Sequence, residues 1–195
     1  QPPACFQACP GRIRYMGPLL YDMDRVAETA NMDDMQLVAA HRDVILDPND
    51  PQVIAAAREQ GISDAWLDAC RRSPVYMMVK EWEIALPLHP EFRTLPSLFY
   101  IPPESPVTTK EGDGHYDMVG GETVLPNLEE FRIPIDYLAR LLAAGNHEPV
   151  EKALRRQLAI RAWRRSERVE GKADDSVLAE VGLTAAEAHH MHRLL

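Results

Sequence analysis

Cysteine is scarce in this 195-residue chain: there are three, Cys5, Cys9 and Cys70. Three is too few for a disulfide scaffold, and an odd number leaves one thiol unpaired. Positive charge is also in deficit, with 21 Lys and Arg against 30 Asp and Glu, a net charge of −9. That balance argues against a general nucleic-acid or anionic-membrane binder, because attraction to phosphate needs positive surface. No apolar run reaches the ~18 residues of a membrane-spanning helix, and the chain has no basic-then-apolar start of the secretory kind. GxGxxG, GxxxxGK, GxSxG and HExxH are all missing, so no recognised motif points to dinucleotide binding, phosphoryl transfer or hydrolysis.

What is present describes a folded domain. Hydrophobic residues make up 46% and charged residues 26%, enough to bury a core in one domain or two small ones. Sixteen prolines exceed the usual share of ~5%. They are spread along the chain beside apolar runs, which predicts many short helices and ordered loops rather than disorder. The chain starts at Gln1 rather than Met, which suggests a processed or trimmed polypeptide, or part of a longer one.

Four regions follow from the pattern. In residues 1–22, Pro2, Pro3 and Pro10 oppose regular structure, and RIRYMGPLLY, interrupted by Pro18, reads as a short edge strand or extended segment. Residues 23–106 are helical at first. MDRVAETANM and DDMQLVAAHRDVIL carry apolar residues at helical spacing. Asp50 and Pro51 open a helix that Gly61 stops, and Ser63 caps SDAWLDACRRS. Ser73 and Pro74 open SPVYMMVKEWEIAL in the same way, and the region ends in a proline-rich extended run. Residues 107–125, rich in glycine, read as a mobile loop. Residues 126–195 return to helix in IPIDYLARLLAAG and HEPVEKALRRQLAIRAWRRSERV, followed by SVLAEVG and TAAEAHHMHRLL. In the last of these, Thr184 and Glu187 have capping-box spacing. The fold class is mainly α, with one or two short extended or β segments.

Few residues could carry chemistry. ACFQACP, with Cys5, Cys9 and Pro10, matches the closing half of the C-x2-C-x2-C-x3-C-P run of ferredoxins, whose last Cys ligates the other cluster. A tight irregular turn leaves backbone N–H groups free to face sulfur, and the proline turns the chain away. An exposed thiol pair or a local disulfide fits the spacing equally well. Zinc fits less well, without further Cys or His at the usual intervals. Cys70, near Trp66 and Leu67 in its helix, reads as a small core residue. His189 and His192 share a helical face, but a solvated helix end explains AHHMHR better than a metal patch. His89, between two prolines, reads as a structural imidazole, and His41, His115 and His147 have no partners nearby in sequence. Lys152, Arg155, Arg156, Arg161, Arg164, Arg165 and Arg168 form a basic stripe on one helix. It is read either as a solvated face over apolar Leu154, Leu158 and Trp163 or as a dock for an acidic partner or anionic head groups, with the solvated face slightly favoured.

Two long stretches, ACFQACPGRIRYMGPLLYDMDRV and SPVYMMVKEWEIALPLHPEFRTLPSLFYIPPESP, resemble the beta subunit of membrane-bound respiratory nitrate reductases. LDPNDPQVI, FRIPIDYLARLLAAG and VEGKADDSVLAEVGLTAAEA continue the resemblance over nearly the whole chain, least well over 107–125. GRIRYMG and RTLP favour this branch over the related nitrite, chlorate, selenate and dimethyl-sulfide enzymes.

The resemblance implies the C-terminal portion of an iron–sulfur electron-transfer subunit, a helical region appended to a polyferredoxin-type core that lies outside this sequence. It implies [4Fe–4S] clusters, with a [3Fe–4S] cluster as a further option, in the complete subunit and none held by this stretch alone. Cys5 would complete a cluster begun by an upstream pair, and Cys9 would give a remote thiolate to a neighbouring one. The implied partners are a molybdenum-containing catalytic alpha subunit and a haem b membrane gamma subunit, with no nucleic acid and no direct membrane span. The implied location is the cytoplasmic face of the inner membrane, peripheral through those partners, or the opposite face. Activity would belong to the complex rather than to this chain alone. Arg12 and Arg14, close to Cys9, are expected either to raise a cluster potential by offsetting negative charge or merely to pair with surface carboxylates. The competing expectation is a cluster-free helical scaffold for partner subunits.

Overall fold

A computed structural model describes residues 4–104, 128 and 131–194 of the chain. The loop expected over 107–125 lies outside the described residues. The prolines on either side confine α1 (Ala4–Gln7) to a single turn. Strand β1 (Arg14–Tyr15) follows, then β2 (Leu20–Tyr21) beyond Pro18. The Asp22 carboxylate accepts from the Asp24 N–H and opens a 3-10 turn, Met23–Arg25, that runs into α2 (Val26–Ala30). A second 3-10 turn, Asp34–Gln36, leads into α3 (Leu37–Asp43).

Helical spacing predicts that this element continues to residue 46, but it stops at Asp43. Ile45–Leu46 forms β3, antiparallel to β2 with Leu20 opposite Leu46. The β-branched Val44 and Ile45 are buried, and the β2 segment supplies the backbone partners that a last helical turn would lack, the Asp22 N–H donating to the Val44 carbonyl at 2.8 Å.

The next two helices follow their caps. The Asp50 carboxylate accepts from the Gln52 N–H at 2.7 Å, Pro51 is the first residue of α4 (Pro51–Glu59), and Gly61 leaves it at a φ of 83°. Ser63 Oγ accepts from the Trp66 N–H at the start of α5 (Asp64–Arg72).

The cap expected of Ser73 is not made. Proline does open α6 (Pro74–Tyr76), but the Ser73 hydroxyl is buried without a hydrogen-bond partner among the described residues. It crowds the space beside Gly17, where an added Cβ would strike it. The helix expected over 73–86 also breaks up. A π-helical turn, Met77–Glu81, follows α6, Glu83 takes a left-handed φ of 48°, and Leu86–Pro87 becomes β4. Burial explains the break, since Trp82, Ile84, Ala85 and Leu86 are all in the core and no one helical face could bury all four.

Between β4 and β5 (Phe99–Tyr100), the 3-10 turn Pro90–Phe92 is flanked by left-handed His89 and Arg93. β5 lies between β1 and β4 in an antiparallel sheet, with Arg14 and Leu86 both opposite Tyr100.

In the last third, α7 (Ile135–Ala143) ends where left-handed Ala144 and Gly145 let the Gly145 N–H return to the Ala139 carbonyl at 2.9 Å. Asn146 caps α8 (His147–Arg165) by accepting from the Glu148 N–H. A π-helical turn, Ser166–Glu170, and α9 (Ser176–Ala179) precede α10 (Ala185–Leu194). At α10 the Thr184 N–H donates to Glu187, while Thr184 Oγ1 accepts from the Glu187 N–H. The fold is mainly helical with short β segments, as the sequence leads one to expect.

One large core cluster runs from Val38 and Trp82 through Phe99 to Leu142, Leu154 and Trp163. A small second cluster joins Leu20, Ala57, Leu67 and Cys70.

Candidate functional site

The turn that carries Cys5 and Cys9 is small. Its backbone closes through the Ala8 N–H on the Ala4 carbonyl at 2.9 Å and the Arg12 N–H on the Cys9 carbonyl at 3.2 Å. Arg12 itself is left-handed, with φ 49°. Cys5 is exposed, Cys9 is half-buried, and both thiols are free. The local disulfide allowed by the spacing is therefore not formed.

Hydrogen bonding from the Ile13 N–H holds the Cys9 thiol below its ordinary pKa, helped by the Gly11 and Arg12 N–H groups and the Arg14 guanidinium, while burial opposes the shift. A loop of N–H donors around one sulfur is what the irregular turn after a proline can provide. It favours the thiolate, the form that binds metal.

Arg14 does something the sequence did not suggest. Its Nη1 donates to the Cys5 carbonyl at 2.9 Å, and its Nε is buried without an acceptor among the described residues. It pairs with no carboxylate among the described residues.

The donor set fits part of an iron–sulfur site. Two thiols, one of them cradled by N–H groups, are the ligand type such a cluster requires, but a [4Fe–4S] cluster takes four thiolates. Among the described residues, no group of three or more His, Cys, Asp or Glu side chains is placed to hold a metal ion.

The other candidates resolve into structure. Cys70 packs with Leu20, Ala57 and Leu67, and burial raises its pKa. The His89 Nδ1 lies 2.8 Å from the Glu91 carboxylate. His147, without an evident partner in sequence, meets Asp136 at 2.7 Å. At the end of α10 His189 and His192 are exposed, as expected of a solvated helix end, although the His189 ring stands edge-on to Trp163 at 4.7 Å and half-buried His190 to Trp82 at 5.1 Å. His41 is buried, its Nδ1 has no partner among the described residues, and desolvation lowers its pKa. His115 lies outside the described residues.

The basic stripe is largely occupied within the fold. Lys152 pairs with Glu83, Arg161 with Glu104 and Arg164 with Glu167, while Arg156 donates to the carbonyls of Trp82 and Val181. Beneath it Leu154, Leu158 and Trp163 are buried.

A groove of about 560 Å³ lies between β2 and the α4–α5 pair, lined by Leu19, Val53, Trp66 and the carboxylates of Asp22 and Asp50. Those carboxylates already serve as helix caps, so the groove offers no reactive constellation.

Comparison with known proteins concerns the chain as a whole. A family model described as respiratory nitrate reductase beta C-terminal matches residues 105–185. The respiratory nitrate reductase 1 beta chain of Escherichia coli (strain K12) is 48% identical over the whole of this chain, which covers 38% of that relative. The nitrate reductase beta chain of Bacillus subtilis (strain 168) is 43% identical, again over the whole chain and 40% of the relative. The respiratory nitrate reductase beta chain of a Bradyrhizobium species is 38% identical over the whole chain and 56% of its own length. The chain thus spans about two-fifths to just over half of these relatives.

Proposed function

This chain belongs to the respiratory nitrate reductase beta family, to whose C-terminal part it corresponds, and on that premise we propose that its cysteine turn completes the ligand sets of iron–sulfur clusters held mainly by other residues of the subunit. Cys5 would close the set of one [4Fe–4S] cluster, and Cys9 would lend its thiolate to a neighbouring one. When bound, such clusters pass single electrons.

The chain's own part is to hold the two sulfurs. The Gly11, Arg12 and Ile13 N–H groups stabilise the Cys9 thiolate, Pro10 turns the chain between the sulfur and its donors, and the core behind β1 keeps the turn in place. In this reading the subunit relays electrons between a haem-bearing membrane subunit and a molybdenum catalytic subunit. This chain then contributes assembly and ligands rather than contact with nitrate. Attachment to the membrane would be peripheral and through partners, since among the described residues no helix is long and apolar enough to cross a membrane.

The observation that carries the proposal is the pair of free thiols, Cys5 and Cys9, four residues apart in one hydrogen-bonded turn. A cluster-free scaffold has no use for the pair. The test uses the complete complex, assembled anaerobically. Cys5→Ser and Cys9→Ser should each disturb a different cluster in the electron paramagnetic resonance spectrum. If both variants keep every cluster, the ligand assignment is wrong and the scaffold reading takes its place.

A further inference from the structure

The hydrogen bonds of the cysteine turn are unevenly distributed. Residues 4–8 bond to one another through Ala8 and Ala4. Among the described residues, one hydrogen bond joins them to the rest of the molecule, that from Arg14 Nη1 to the Cys5 carbonyl. Cys5 is itself exposed, so packing adds little to hold its sulfur in place.

Arg14, by contrast, is firmly based. It lies on β1 opposite Tyr100 of β5, and the ladder extends one residue further through the Ile101 N–H on the Ile13 carbonyl at 2.9 Å. Phe99 and Ile101 on either side are buried in the main core. Among the described residues, the hydrogen-bonded path from core to Cys5 therefore runs through this one guanidinium.

We propose that Arg14 is the positioning residue of the Cys5 ligand, a tether that fixes this cysteine's backbone relative to Cys9 and the core. The inference rests on the ligand reading above and adds to it the means by which the two sulfurs keep their spacing.

Three features support the tether. A hydrogen bond from a guanidinium to a carbonyl is charge-assisted, and so stronger than a neutral one. The planar fork lets one nitrogen hold the carbonyl while the others face elsewhere, which a lysine ammonium cannot reproduce. The Nε–H is buried and has no acceptor among the described residues. A buried donor is costly to leave unpaired, and anionic sulfur beside the turn is an acceptor it could use. Arg12, two residues away, makes no side-chain hydrogen bond among the described residues and serves as the comparison.

The experiment measures the complete complex carrying Arg14→Gln, Arg14→Lys or Arg12→Gln. The readouts are iron content, paramagnetic resonance line shape and redox titration of whichever cluster Cys5→Ser abolishes. Arg14→Gln should change the line shape and lower the midpoint potential of that cluster. Arg14→Lys keeps the charge, so its potential should move less, while its line shape departs from wild type as the tether loosens. Arg12→Gln should leave the line shape as in wild type.

A wild-type line shape in Arg14→Lys would overturn the tether, because charge alone would then suffice. Wild-type behaviour in Arg14→Gln would overturn any role. Amide exchange separates this failure from that of the ligand assignment. If Cys5→Ser spares every cluster, the ligand reading falls, and Arg14 keeps a role in holding the turn only if Arg14→Gln speeds exchange over residues 4–8 by roughly tenfold.

Discussion

The cysteine turn and the C-terminal helices α7–α10 are held by opposite means. In the helices, Leu138, Leu142, Leu154 and Trp163 are all at most 2% exposed, and α8 is packed against α7 and α9. Their stability comes from area removed from water, which has no preferred direction and tolerates small shifts. In the turn, burial is slight, and position depends on a few directed hydrogen bonds from N–H groups and one guanidinium. Substitutions should therefore act on stability in one region and on ligand geometry in the other.

The largest effect should come from the helices. Trp163 is 2% exposed, its Nε1 donates to Asp175 at 2.8 Å and its ring meets His189. Trp163→Ala should cost about 3–5 kcal/mol in urea unfolding of the chain, as expected for a large buried aromatic. A cost below about 1 kcal/mol, the range of surface substitutions, would mean that α8 is not anchored as described.

The next effect lies beside the base of the turn, where the segment after β1 meets α6. Gly17, just beyond β1, faces the Ser73 hydroxyl, with Val75 Cγ2 lying 3.1 Å from the position of an added Cβ. Gly17→Ala should destabilise by about 1–3 kcal/mol through overpacking. Ser73→Ala removes a hydroxyl that makes no hydrogen bond among the described residues, so it should cost little alone and restore much of the loss in the double variant. Strict additivity in that cycle would show that the clash is not the cause.

How far the sequence could reveal this architecture depends on the range of the forces involved. The caps at Asp50, Ser63 and Thr184–Glu187 and the stop at Gly61 were readable because each is settled within four or five residues. The end of α3 at Asp43 was not, since β3 exists only because β2 supplies its partners. The break after α6 was likewise hidden, because it follows from burying residues 82–86 on several sides at once. At the site, the Cys5 and Cys9 spacing was plain. The tether was hidden, because a free arginine has many conceivable partners and nothing local selects the Cys5 carbonyl. The same holds for His189 and His190, whose tryptophan partners come from other elements.

A smaller effect, confined to mild acid, arises on α3, outside both regions. Burial keeps the folded-state pKa of His41 below its ordinary value of 6.5. Between that lowered value and 6.5 the unfolded chain binds more protons than the folded one. Stability is therefore complete above 6.5 and is lost as pH falls toward the folded value. His41→Gln should flatten this slope in urea titrations run across the window. His192 is shifted in the same direction, first by desolvation and then by Arg164 and Arg168, but it is exposed, so its replacement should change the slope less. An unchanged slope in His41→Gln would assign the acid loss to other groups.

The smallest expected effect, at Cys5, is the most informative, because the same substitution can be made in the exposed turn and on the buried face of α5. Cys70→Ser places a hydroxyl in the apolar cluster of Leu20, Ala57 and Leu67, where an unpaired polar group costs about 1–3 kcal/mol. Cys5→Ser exchanges one exposed small side chain for another and should stay within about 0.5 kcal/mol of wild type. If thermal unfolding of the chain shows equal losses for the two, the cysteine turn is part of the fold's framework and its sulfurs need no other purpose. If Cys5→Ser is silent in unfolding, stability gives no reason for a cysteine at that position. The reason must then lie in what the thiol binds, and the same variant in the complete complex shows whether that is iron.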